Sequence, residues 1–217
     1  MNSTKVFIWT LEIFDLDLSL DIISQSKEKI SVKIKGIPLQ YTNALRRICL
    51  NGVPVYAIDT VDTIINSSVM ADEGIAHRLG MIPLKTEFSA VQQDNESDRI
   101  MLTLDSDKSS ETRTVLSGEL KSQDSTVQPV SDHIPIVTLA PDQRLKLEAY
   151  ARLGRGTEHA KWNSANIATL TESNHDDERI LTVETTGALD PEHIILSSIE
   201  ELSKRLNDFK NLISDLK

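Results

Sequence analysis

Apolar and polar positions divide the chain into strands and helices. Residues 6–20 are rich in aliphatic and aromatic side chains and read as a strand. Ile30, Val32 and Ile34 then alternate with Ser31, Lys33 and Lys35, the period of a half-buried strand, which Gly36 ends. Behind Pro38, which suits a first helical turn, Leu39, Ala44, Leu45, Ile48 and Cys49 recur at helical spacing until Gly52 and Pro54 stop the pattern. Further strands are expected at 57–65, 100–104, 112–116, 134–139 and 180–184. A short helix is expected at 72–79. The clearest strand is 145–152, where Leu145, Leu147, Ala149 and Ala151 alternate with Lys146, Glu148, Tyr150 and Arg152. Two polar stretches, 89–98 and 163–178, read as loops.

The last stretch is the most regular. Asp190 can cap a helix, Pro191 fits its first position, and Glu192 complements its dipole. Ile195, Ile199, Leu202, Leu206, Phe209, Ile213 and Leu216 follow at spacings of four and three, a heptad seam, with Glu200, Lys204 and Lys210 on the polar side. Such a helix from Pro191 would be roughly 40 Å long, whereas a typical strand offers about 17–20 Å. Part of the seam overhangs any sheet of this chain. A partner helix and the chain's own sheet are both open as what covers it.

Composition narrows the chemistry. The 217 residues suffice for one large or two small domains, and 39% apolar content indicates a folded chain. A formal charge of −10 disfavours general affinity for phosphate backbones. No signal peptide or membrane span fits the opening residues, so a cytoplasmic protein is expected. The single cysteine, Cys49, cannot form a disulfide or thiolate cluster within the chain and reads as a small buried hydrophobe. His175 with Asp176, Asp177 and Glu178 could hold a metal only adventitiously. Gly154-Arg155-Gly156 leading to His159 resembles the start of a phosphate-cradling loop but lacks the third glycine and a following helix. A small enzyme built around Gly154 and His159 is the alternative reading, and a tight glycine turn is the plainer one. Arg46 and Arg47 point about 100° apart on the first helix, so one can face a partner while the other faces solvent.

Longer strings are more specific. They include Asn43-Ala44-Leu45-Arg46-Arg47-Ile48, Asp72-Glu73-Gly74-Ile75-Ala76-His77-Arg78-Leu79-Gly80, and Ala151-Arg152-Leu153-Gly154-Arg155-Gly156 running on to His159-Ala160-Lys161-Trp162. Thr185-Thr186-Gly187-Ala188-Leu189-Asp190-Pro191 closes the series. From about Gly36 onward the chain resembles the D-type assembly subunits of archaeal RNA polymerase. That family corresponds to the third-largest subunit of eukaryotic polymerase II and to the bacterial alpha amino-terminal domain.

The resemblance implies an α+β fold with a discontinuous alpha-type dimerisation domain (a sheet plus two helices, 1–52 and 173–217) and an inserted, mostly-β domain (53–172). It implies a non-catalytic scaffold of DNA-directed RNA polymerase that heterodimerises with the smaller subunit L. The pair forms a platform for the large catalytic subunits, with small subunits N and P alongside. Leu45 and the seam residues Ile195, Ile199, Leu202, Leu206, Phe209, Ile213 and Leu216 would face subunit L, and Arg46 and Arg47 would dock the large subunits. No membrane and no sequence-specific DNA contact are expected. Relatives carry an iron–sulfur insertion, here expected after Trp162, or a zinc-binding cysteine loop, here near 92–98. This chain has cysteines in neither place, so no cofactor is expected.

Overall fold

The computed structural model describes residues 18–93, 99–173 and 178–214. Two antiparallel sheets organise them. The first has the order β1-β2-β10-β9, from Ser19–Gln25, Lys29–Lys35, Glu178–Thr185 and Ala165–Glu172. Ile30, Val32 and Ile34 of β2 are buried on the same face as Leu181 and Val183 of β10, which pair with Val32 and Ile30. Period-2 alternation thus gives one apolar face. Helices α1 (Leu39–Asn51) and α4 (Pro191–Ser214) pack on it, α1 toward β9 and α4 over β10 and β2. In α1 the buried positions Thr42, Leu45, Ile48 and Cys49 form one stripe at spacings of three, three and one. Pro38 stands just before the helix, where its carbonyl accepts the amides of Tyr41 and Thr42. Asp190 caps α4 through its carbonyl, which accepts the Ile194 N–H.

Between β2 and β9 the chain builds the second sheet, order β3-β8-β4-β6 (Val55–Asn66, Leu145–Gly154, Ile100–Asp105, Lys121–Ser122). The paired strands β5 (Arg113–Leu116) and β7 (Pro135–Leu139) and helix α2 (Asp72–Gly80) share its core. In β8, Leu145, Leu147, Ala149 and Ala151 are all buried, as their alternation predicts.

Several expectations need correcting. The strand expected at 6–20 falls largely outside the described residues, and the observed β1 continues to Gln25. The stretch 89–98 was expected to be a loop, but Phe88–Gln93 forms helix α3; Phe88 stacks on His193 at 4.5 Å between ring centroids and Val91 is buried. Two apolar residues three apart are enough to seat a single turn on α4. The stretch 163–178 was also expected to be a loop, yet Ala165–Glu172 is strand β9. Its buried residues, Ala165 and Ala168, are three apart because the pairing slips between Glu184 and Thr185. That bulge hides the period of two. Because β9 pairs with β10, residues 165–172, which the expected boundary places in the inserted segment, hydrogen-bond into the first sheet.

Candidate subunit interface

Helix α4 carries the feature the sequence singled out. Ile194 and Ile195 are buried against the sheet, and Leu202 is half-buried against the same core. Ser198 is small and buried against Cys49 of α1, and its hydroxyl donates to the Ile194 carbonyl at 2.6 Å. Past Leu202 the stripe continues into solvent. Leu206, Phe209, Leu212 and Ile213 are 47–64% exposed. At 100° per residue they fall on the side of the helix that faces the sheet in its first half. Ile199 is 44% exposed at the edge of this stripe.

Of the residues expected at an interface, Leu45 is 7% and Ile195 6% exposed. Both are buried in the chain's own core and leave almost no surface for a partner. Leu216 lies outside the described residues. Ile199, Leu206, Phe209 and Ile213 are exposed. Sequence reasoning missed Leu196 and Leu212, which are exposed on α4 but off the heptad.

It also missed strand β1. Leu20 and Ile22 pair with Ile34 and Val32, so they point to the helix-covered face, yet each is more than half exposed. Helix α1 covers the β9 side and α4 covers β10 and β2. Among the described residues, no helix occupies the place over β1 beside α4. The signal was present as Leu18, Leu20 and Ile22 at period two.

Arg46 and Arg47 differ sharply. The Arg46 guanidinium donates to Asn43 Oδ1 at 2.9 Å and to the Ala168 carbonyl at 3.3 Å, tying α1 to edge strand β9. Arg47 is exposed and has no hydrogen bond or ion pair among the described residues.

The glycine turn is a packing device. A Cβ on Gly154 would sit 2.5 Å from the Trp162 ring, and one on Gly156 would sit 2.7 Å from the Asn51 side chain. Arg152 and Lys161 each place a cation 4.2 Å from the Trp162 ring centroid. Asp59 bonds both, at 3.0 Å to Arg152 and 2.8 Å to Lys161. Partial burial raises the Asp59 pKa, but the bonds from Lys161 and Arg152 outweigh it and hold the carboxyl below its ordinary range. His159 is exposed, and its Nδ1 accepts the Lys161 amide. A cleft of about 680 Å³ lies elsewhere, between Lys27–Glu28, Lys85–Thr86 and the 184–190 turn. An enzyme site at Gly154 and His159 is therefore not supported.

Burial pushes the Cys49 thiol up to about 11, so it is an unreactive core group. Among the described residues no group of three His, Cys, Asp or Glu could hold a metal ion, and His175, Asp176 and Asp177 lie outside them. No helix among the described residues is long and apolar enough to cross a membrane.

Residues 62–175 match the RNA polymerase Rpb3/RpoA insert domain. The chain is 44% identical to DNA-directed RNA polymerase subunit Rpo3 of Pyrococcus furiosus, over 67% of this chain and 56% of that protein. It is 45% identical to the Rpo3 of Thermococcus kodakarensis, over 65% and 54%. For the Rpo3 of Aeropyrum pernix the identity is 33%, over 71% and 59%. The chain thus spans less than two thirds of the length of these archaeal relatives. A match over more than half of the chain, together with this identity, places it in a family: the chain belongs to the Rpb3/RpoA family of RNA polymerase subunits.

Proposed function

We propose that this chain is a non-catalytic assembly subunit of a cytoplasmic DNA-directed RNA polymerase, and that it works as half of a heterodimer. The observation that carries the reading is the apolar stripe of α4, which runs off the sheet and into solvent at Leu206, Phe209, Leu212 and Ile213. Each such side chain gains roughly 1.5–3 kcal/mol on full burial, so four of them make a strong drive to associate. The partner is the smaller L-type subunit. It covers the second half of α4 and lays apolar surface over Leu20 and Ile22 of β1. The dimerisation domain then comprises the first sheet with α1 and α4, including residues 165–172, and the second sheet forms the inserted domain.

In this reading the heterodimer recruits the large catalytic subunits, with N- and P-type small subunits alongside. Arg47 is the residue free to dock them, because a guanidinium forks onto carboxylates and carbonyls and sheds water readily. Arg46 supports it by fixing α1 to β9. The chain supplies no catalytic residue, holds no metal or other cofactor, and makes no sequence-specific DNA contact.

Sedimentation tests the reading. The chain alone self-associates, and addition of an L-type subunit converts it to a one-to-one complex whose stability rises with partner concentration. A stable monomer indifferent to the L-type subunit contradicts it.

A further inference from the structure

The second sheet has an edge that the heterodimer reading does not use. β3 is its end strand. The first part of that edge is covered: the Tyr56 amide donates to Thr86 Oγ1 at 3.0 Å, and Gly80 lies against the Ile58 carbonyl. Beyond a slip in the pairing at Asp59, the strand resumes at Thr60 opposite Tyr150 and runs to Thr63 opposite Leu147; a second slip at Ile64 precedes the pair of Ile65 with Lys146. Among the described residues, the backbone of 60–65 bonds to nothing but β8. That free edge is about 20 Å long at 3.3 Å per residue.

Its charge is unbalanced. Asp62 sits directly opposite Glu148 across the two strands. Like charges in that position destabilise a sheet. Glu148 accepts the Tyr150 hydroxyl at 3.0 Å, and neither carboxylate has an ion pair among the described residues. At the same end Ile64 is 53% exposed and Val69, in the turn that follows, is 93% exposed. We propose that the β3 edge between Thr60 and Ile65 takes up an extended basic segment of another protein by strand addition. A lysine or arginine of that segment settles against Asp62 and Glu148, and an apolar neighbour covers Ile64.

A charge and a pairing slip also guard an edge against self-association. One carboxylate would serve that purpose. The second, placed opposite the first, adds repulsion that a further cation reaching both relieves. A second copy of this strand is a poor occupant, because it would bring Asp62 against another acidic edge. Backbone bonds would supply affinity and the paired carboxylates the preference for basic side chains.

The test uses the full chain and an N-acetylated hexapeptide of alternating lysine and valine, with a glutamate–valine hexapeptide as control. Residue-resolved amide exchange is the readout. The basic peptide slows exchange within 60–65, and the acidic one does not. Asp62→Lys with Glu148→Lys lowers affinity about tenfold or more, since two attractions become repulsions. Asp62→Asn keeps the side-chain shape and gives an intermediate loss, which decides the matter should the double variant unfold. Binding without protection of 60–65 would be general attraction to a chain of charge −10 and would overturn the proposal. So would equal protection by both peptides, or unchanged affinity in Asp62→Asn.

Discussion

The two halves of α4 share one apolar stripe and meet opposite fates. In the first half Ile194 is 0% exposed and Ile195 6%; in the second, Phe209 is 63% and Leu212 64% exposed. The residue types are the same. What differs is the surface opposite. The helix has 24 residues, about 36 Å, while its neighbour β10 has eight, about 26 Å, and crosses beneath it only in part. Helical periodicity therefore reports that a face is meant to be buried, without reporting which chain buries it.

Charge substitutions should separate the halves most strongly. Ile194→Asp puts an unpaired carboxylate in the core and should cost several kcal/mol, most of a typical domain's stability. Phe209→Asp should leave the chain's own stability within about 0.5 kcal/mol of the parent. Denaturant titration of the two variants reads this directly, and similar losses would erase the distinction. The next effect is on pairing. Phe209→Asp and Leu206→Asp should abolish the complex with an L-type subunit in gel filtration, whereas Asn211→Asp, on the opposite side, should not. Equal yields would show that the exposed stripe faces no partner.

The adjacent arginines repeat the contrast on a smaller scale. Arg46→Ala should destabilise the chain by about 1 kcal/mol through its lost bonds to Asn43 and Ala168. Arg47→Ala should leave stability and the heterodimer unchanged but lower the fraction that enters reconstituted polymerase. The smallest effect belongs to the inserted sheet. Hydrogen bonding from Arg144 holds the Asp105 carboxyl at about 2, below its ordinary 3.8. A depressed carboxylate stabilises the fold above pH 4, and that contribution fades as pH falls from 4 to 2. Asp105→Asn should flatten that slope in acid denaturation while leaving the pH response of α4 pairing unchanged.

What was legible in the sequence follows from how regular each element is. β2, β8 and α1 each present one buried face without interruption, so Ile30–Ile34, Leu145–Ala151 and Leu45–Cys49 showed it directly. β9 was hidden because a bulge breaks its period and its outer positions are polar. α3 was hidden because a single turn leaves too few residues to establish one. At the candidate site the α4 stripe was visible, but its division at Leu202 depends on sheet length, which no helix encodes. The burial of Leu45 and Ile195 in the chain's own core was not legible either, because a core residue and an interface residue look alike along the chain. The separate states of Arg46 and Arg47 depend on where the Ala168 carbonyl lies, a contact made across the fold.

The first sheet has a consequence in time. β2 ends at Lys35, and its neighbour β10 begins only at Glu178. At roughly 5–20 residues per second, a ribosome needs on the order of ten to thirty seconds to make the chain between them. During that interval Ile30, Val32 and Ile34 have no strand on their β10 side, while β3 to β8 have all emerged and can close the second sheet. The second sheet thus has the opportunity to close before the first, whose face is complete only once β10 and α4 have emerged. A chaperone that shields β2 would act in that window, and the face on which α1 and α4 pack would stay incomplete until synthesis had passed α4.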